Sequence, residues 1–320
     1  MLFRSRQEST NSMQNSEPPS TTNAQAVTSL ARRAERNAIV DCYQLIEPLG
    51  KGYTASVWRA SVVGTVPGVD LPLGSEVAIK LYHRLMESST DTVRVQREFQ
   101  VATSIDHPNL VKVYDLVLSP SRPLHNFLVM ELVRGRTLKS VIPSHGMDVK
   151  RIVPIAQQIF SALSALHVQD ALHRDVKAAN IMLTLDGNQE IAKLCDLGIV
   201  SVIGDPSLTG TSVFMGSKHS APFEQMVGEE LDPRTDVYAA GSVMYHCYSG
   251  RPMYFRAGPE GAIVREMLRR PEQLTPRTTD LFDLEFVKIV NQCISVEPAN
   301  RPATATAVVE MLAALPGIIA

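Results

Sequence analysis

The densest chemistry in the 320-residue chain lies in LHRDVKAAN, where Asp175 and Asn180 bracket Lys177 within six residues. A carboxylate can orient a hydroxyl nucleophile and accept its proton. An ammonium can neutralise charge on a transferring phosphoryl group, and an amide oxygen can ligate Mg²⁺. KLCDLG follows and ends a second apolar run on Asp196, another hard oxygen ligand, with Gly198 permitting a sharp turn. Upstream, EVAIK closes on Lys80. A lysine ending an apolar strand needs an anion if it is to be buried, and Glu98 in the next helical stretch could supply a carboxylate. LGKGYTASVWRA sets Gly50 and Gly52 around Lys51; glycines there let backbone N–H groups approach phosphate oxygens. Val57 and Trp58 then continue a strand, which argues against a dinucleotide-binding turn, where a helix would follow at once. Any one of these residues reads equally well as a turn, a cap or a surface charge. The ordered set does not.

The elements that must position these groups change character along the chain. Residues 1–42 are rich in Ser, Thr, Asn and Gln with few large apolar side chains, a composition that cannot offset its own ordering entropy and is expected to be a disordered tail. From residue 43, five β-type runs appear: YQLIEPLG, SVWRASVV, EVAIKLY, LVKVYDLVL and NFLVMELV, with a helical stretch around VRVQREFQVATSI. After Gly135 the pattern turns helical. RIVPIAQQIFSALSALH has apolar residues at three- and four-residue spacing, and VYAAGSVMYHCYSG is apolar enough to be a buried helix. The order predicts a small β-rich lobe followed by a larger helical one. Residues 61–75, with three glycines and two prolines between strand runs, read as an extended hairpin loop, a tolerated surface insertion.

Composition narrows the function class. With 31 basic and 33 acidic residues the formal charge is -2, so no field of one sign points to nucleic acid or an anionic membrane. The four cysteines, Cys42, Cys195, Cys247 and Cys293, form no CxxC pair; a disulfide framework or zinc site is not expected, and a reducing cytoplasm is. No run approaches the roughly 20 apolar residues of a membrane span, and no apolar segment follows the basic N-terminus as a secretory signal would.

The ordered set Gly50–Lys51–Gly52, VAIK to Lys80, Glu98, HRDVKAAN and DLG resembles the eukaryotic-type (Hanks-type) protein kinase family, with a match from about Tyr43 to Leu312. The resemblance implies an α+β bilobal kinase fold, with an N-lobe over 43–133, a C-lobe over 134–312, a C-terminal tail over 313–320, and ATP between the lobes. It implies that Lys80 contacts the α- and β-phosphates and pairs with Glu98, that Asp175 is the catalytic base, that Lys177 stabilises the transferred phosphoryl, and that Asn180 and Asp196 hold Mg²⁺, or Mn²⁺ in its place. Met130 would be the gatekeeper, Glu131 and Val133 would bind adenine through their backbones, and Val57, Ala78 and Met182 would sandwich its ring. Lysine two residues after Asp175 resembles the Ser/Thr class, and PFEQM and RTDVYAAG look similar to bacterial members. Asp236 would support the catalytic-loop backbone and Arg301 would pair with Glu224.

Three departures stand out. Ala55 replaces the third glycine of the phosphate loop, DLG replaces DFG, and the segment usually written APE reads either Ala221–Pro222 with an extra residue or, as preferred here, Pro222–Phe223–Glu224 in register, which keeps Glu224 available to Arg301. The expected activity is phosphoryl transfer from ATP to protein Ser/Thr hydroxyls, with autophosphorylation of the activation loop at Thr209, Thr211 or Ser212, a phosphate there pairing with Arg174. Arg134 and Arg136 would favour acidic substrates. The rival readings are a nucleotide-binding pseudokinase scaffold, against which the retained Lys80, Asp175, Asn180 and Asp196 argue, and a small-molecule phosphotransferase on a related fold. The protein substrate and the oligomeric state are open.

Overall fold

The structure, a computed structural model, describes residues 37–52, 55–66, 68–82, 99–118, 126–196, 219–255, 260–269 and 271–316. The chain divides into two compact units: residues through Thr103 with Lys112–Leu132, and Ser104–Val111 with Val133 onward.

The smaller unit is a six-stranded antiparallel sheet. Its strands are β1 (Ile39–Val40), β2 (Tyr43–Lys51), β3 (Ala55–Val62), β4 (Glu76–Tyr82), β5 (Val113–Val117) and β6 (Phe127–Glu131), in the order β1-β2-β3-β4-β6-β5. Side chains alternate between faces along a strand, and that alternation builds the core. Trp58, Ala60 and Val62 of β3, Val77, Ile79 and Leu81 of β4, and Phe127 and Val129 of β6 join Tyr43 and Leu45 in one buried cluster. The Tyr43 and Phe127 rings meet edge to face at 5.9 Å, the arrangement the ring quadrupoles favour. Residues 99–104 are helical.

The connection between β3 and β4 is the hairpin loop the sequence predicts, and it is packed at one point: Val66 is buried in the sheet's core, with Val69 and Leu71 against it. The Val63 N–H donates to Cys42 O at 2.8 Å, and the Cys42 thiol donates to Thr65 O at 3.2 Å. The first half of the connection is thus fastened to the β1–β2 turn, while Leu73 near its end is exposed.

The larger unit carries a three-stranded sheet, β7 (Arg136–Thr137), β8 (Ile181–Asp186) and β9 (Gln189–Leu194), in that order. Its helices, among the described residues, are α1 (Leu138–Val141), α2 (Val149–His167), α3 (Phe223–Val227), α4 (Pro233–Ser249), α5 (Glu260–Arg269), α6 (Leu281–Cys293) and α7 (Ala305–Ala313). α2 starts where the Asp148 carboxylate accepts the Lys150 N–H, an N-cap that satisfies one orphan donor. Its buried stripe Ile152, Ile155, Ala156, Ile159, Phe160, Leu163 and Leu166 follows the three- and four-residue spacing. α4 is buried on nearly every side from Thr235 to Tyr245. It is punctuated by the Asp232 cap, Pro233 at its first position and Gly250 in the left-handed region at φ 76°. A Cβ at Gly250 would lie 2.2 Å from Ser144 O, so only glycine closes that end. None of the four cysteines is in a disulfide: Cys42 and Cys195 are half-buried, Cys247 on α4 and Cys293 on α6 fully buried.

Candidate active site

The larger unit brings the sequence-predicted polar residues together on the loop between α2 and β8. Its anchor is Asp236, wholly buried on α4. One carboxylate oxygen accepts the His173 N–H at 2.8 Å and lies 2.9 Å from His167 Nε2; the other accepts the Arg174 N–H at 2.9 Å. Burial raises the carboxyl's pKa, but the His167 hydrogen bond and the nearby histidines outweigh it and hold the group below the ordinary carboxylate value. The His173 ring lies 3.0 Å from Cys195 O, which ties this loop to the end of β9.

The loop presents three functional groups within hydrogen-bond reach. Lys177 Nζ donates to both Asp175 oxygens, at 2.6 and 2.9 Å. Asn180 Nδ2 donates to Asp175 O at 3.0 Å and to Asp175 Oδ2 at 2.9 Å. Asp175 itself is part-exposed, with about a third of its side chain in solvent (31%). The β8–β9 ladder aligns the remaining member. Ile181 faces Leu194 across the pair, and Cys195 N–H donates to Asn180 O at 2.8 Å, so Asp196 leaves β9 beside Asn180. Asp196 has φ 59° and Arg174 φ 63°, uncommon for residues with a Cβ and typical of places where neighbours impose the backbone.

The donor set suits a hard divalent cation. The Asn180 amide nitrogen is spent on Asp175, which leaves its oxygen as the hard donor, and Asp196 supplies a carboxylate. Among the described residues no group of three His, Cys, Asp or Glu side chains is assembled into a cage. One or two protein oxygens completed by substrate phosphates is the coordination Mg²⁺ usually takes.

The segment around Glu224 is locked independently. Glu224 on α3 receives two hydrogen bonds from Arg301, at 2.6 and 3.0 Å, and one from Thr235 Oγ1 at 3.2 Å. The Arg301 guanidinium also donates to the carbonyls of Ser295, Val296 and Arg234 and lies over the Tyr238 ring. The in-register reading Pro222–Phe223–Glu224 therefore describes the observed pair.

In the smaller unit, cross-strand register puts four predicted residues on one sheet face. Val57 is the direct partner of Lys80, and Ala78, two residues before Lys80, is the partner of Met130. The opposite face carries Trp58 and Ile79. Gly50 and Lys51 end β2, and the Gly52 N–H donates to Ala55 O at 2.8 Å, closing the turn with alanine at the third glycine's place. The Glu131 N–H donates to Lys112 O at 2.8 Å. Val133 belongs to the larger unit, as does Met182 on β8. Arg134 and Arg136 are exposed, Arg136 donating to Ser140 O. Glu98, Leu197, Gly198, Thr209, Thr211 and Ser212 lie outside the described residues, as do residues 1–36 of the expected tail; its last residues, 37–42, are instead ordered, because Ile39–Val40 pair with β2 as strand β1.

Two participants carried no sequence expectation. His167 closes α2 and reaches Asp236, and Gln225 on α3 donates from Nε2 to Arg174 O at 2.8 Å. A histidine ending an amphipathic helix a few residues before HRD was the only available signal for the first. An amide on a short helix gives none for the second.

Comparison with known proteins agrees with this geometry. The family model "protein kinase domain" matches residues 43–312. A probable serine/threonine-protein kinase of Clostridium acetobutylicum is 31% identical over 272 residues, covering 84% of this chain and 39% of the relative. Serine/threonine-protein kinase PkaA of Streptomyces coelicolor is 32% identical, covering 81% and 47%. PknB of Mycobacterium tuberculosis is 33% identical, covering 83% and 41%. The chain thus spans less than half the length of these relatives. Among solved structures, the M. tuberculosis PknI kinase domain aligns with a TM-score of 0.63 at 20% identity, covering 89% of this chain and 100% of that one, a likeness of fold. No helix among the described residues is long and apolar enough to cross a membrane. With its ordered motifs, its α+β fold and these relatives, the chain belongs to the protein kinase domain family, in the Hanks-type serine/threonine group that bacteria carry.

Proposed function

We propose that this domain transfers the γ-phosphoryl group of ATP to Ser or Thr hydroxyls of a protein. The observation that carries the reading is the convergence of Lys177 and Asn180 on the Asp175 carboxylate, within 3 Å, on a loop fastened to a buried aspartate. Asp175 orients the acceptor hydroxyl and takes its proton as the oxygen attacks phosphorus, while ADP leaves. Lys177, resting on Asp175, is the cation available to the transferring phosphoryl. Asn180 and Asp196 would hold Mg²⁺, which supplies charge neutralisation at the phosphates. Lys80 is assigned to the α- and β-phosphates, with Gly50, Lys51 and Gly52 covering them, and Val57, Ala78, Met130 and Met182 to the adenine.

The same reading extends to regulation and setting. Thr209, Thr211 or Ser212 is the proposed autophosphorylation site, with Arg174 as the phosphate's partner. The dispersed cysteines, none in a disulfide, fit a reducing compartment, and we place the domain in the cytoplasm. The pseudokinase alternative is not favoured, because every residue that reading would expect to be lost is present.

Radiolabelled ATP with Mg²⁺ tests the proposal, comparing wild type with Asp175→Asn and Lys80→Met and identifying the labelled amino acids. Asp175→Asn should lower kcat by about 10²–10⁴, the usual weight of a general base. Label on Ser and Thr, lost in both variants, is expected. Undiminished transfer by Asp175→Asn would overturn the assignment.

A further inference from the structure

Gln225 occupies the position after Glu224 on α3, and Glu224 is immobilised by Arg301. From there its Nε2 donates to Arg174 O at 2.8 Å, and Arg174 immediately precedes Asp175. Arg174 is held at φ 63°, a region that costs a residue with a Cβ about 1 kcal/mol or more and persists only where surrounding contacts impose it. Those contacts can be enumerated. The Arg174 N–H is fixed by Asp236 Oδ1, and its carbonyl by Gln225. The next N–H, that of Asp175, points the other way and is held by His173 O at 2.9 Å and by His173 Nδ1 at 3.3 Å. The peptide plane between Arg174 and Asp175 is therefore gripped on both edges, and that plane sets the direction in which the Asp175 side chain leaves the backbone.

We infer that Gln225 is a positioning residue for Asp175. It carries the fixed placement of the Glu224–Arg301 pair, through one hydrogen bond, to the backbone of the catalytic carboxylate. His173 and Asp236 grip the loop from the α4 side, while Gln225 supplies the grip on the carbonyl side from a different segment of the chain. Loss of that bond frees the plane to rotate without touching ATP or the acceptor. This inference rests on the reading of Asp175 as the base.

Two variants separate positioning from bulk structure. Gln225→Met keeps the side chain's length and removes the donor. Gln225→Glu keeps its shape and sets a carboxylate oxygen against the Arg174 carbonyl. Removal of one hydrogen bond that acts on the base corresponds to about a tenfold loss of kcat for Gln225→Met, and Gln225→Glu should lose at least as much. KM for ATP should stay unchanged and the melting temperature within about 4 °C of wild type. Hydrogen exchange at the Asp175 amide should quicken in both variants. Folded variants with kcat within twofold of wild type, or a kcat loss accompanied by a matching rise in KM for ATP, would overturn the inference. A wild-type protein that transfers no phosphoryl group would instead bring down the kinase reading itself, so the two failures are told apart.

Discussion

Arg301→Met is the perturbation whose cost the structure specifies most fully. The Arg301 side chain is wholly buried and that of Glu224 is 6% exposed, and the two share a bidentate pair. Removing one partner of such a pair typically costs about 3–5 kcal/mol, because the other charge is left buried without compensation. Here three carbonyls, of Ser295, Val296 and Arg234, lose a donor as well. Thr235 Oγ1 remains on Glu224 and returns part of the loss. We therefore expect about 4 kcal/mol, read as a shift of the urea midpoint, and a fall in Tm of about 8–16 °C for a domain of this size. The double variant Glu224→Leu/Arg301→Met removes the orphaned charge but still leaves the three carbonyls short. It should lie about 2 kcal/mol below wild type, less destabilised than the single arginine variant. Arg301→Lys should recover less than half of the loss, since one ammonium cannot span two carboxylate oxygens and three carbonyls. A single-variant cost below 1 kcal/mol, or strict additivity in the double-mutant cycle, would refute the reasoning.

Asp236→Asn turns one acceptor into a donor facing an N–H, and should cost about 3 kcal/mol near neutral pH, together with a severe loss of kcat. Because the folded-state pKa of Asp236 is depressed, its contribution is fully present above the ordinary carboxylate range, about pH 4, and is lost as the pH falls through the lower folded value. The stability gap between wild type and Asp236→Asn in urea should accordingly narrow on acidification, and a gap that widens would contradict the assignment. Gly135→Ala would put a Cβ 2.0 Å from Leu183 O on β8, and should cost about 2–3 kcal/mol by forcing β7 away from its partner. Gly187→Ala, in open space at φ 57°, should cost only about 1 kcal/mol.

How much of this was legible depended on how far apart in the chain the cooperating groups lie. Asp175, Lys177 and Asn180 act within one loop, so their types and spacing nearly determine their contacts. The five strands from residue 43 onward could be read because alternation and β-branched content coincide there. Asp236 and Arg301 reach the site across long separations; no local pattern announces them, and only the family resemblance pointed to their partners. Gln225 lay within PFEQM, but nothing in that resemblance pointed to its partner, and an amide on a five-residue helix looks like surface. The 61–75 connection was legible as a hairpin loop, but its packing was not, because three glycines and two prolines hid the role of Val66, Val69 and Leu71 spaced among them. β1 and β7, two residues each, are too short for any period to show. They exist because a neighbouring strand offers them a ladder.

The four thiols, none in a disulfide, make the molecule its own reporter of when its core opens. The thiolate is the reactive form, and burial pushes the Cys247 and Cys293 pKa values up to about 12. An alkylating reagent therefore reads those two only when the α4–α6 core comes apart. Cys42 is half-buried at the start of the 63–75 connection, so it labels before that core opens and gives the fast reference against which the two buried thiols are read. Following both by mass spectrometry in mild denaturant would order local and global unfolding on one intact chain, with no probe added.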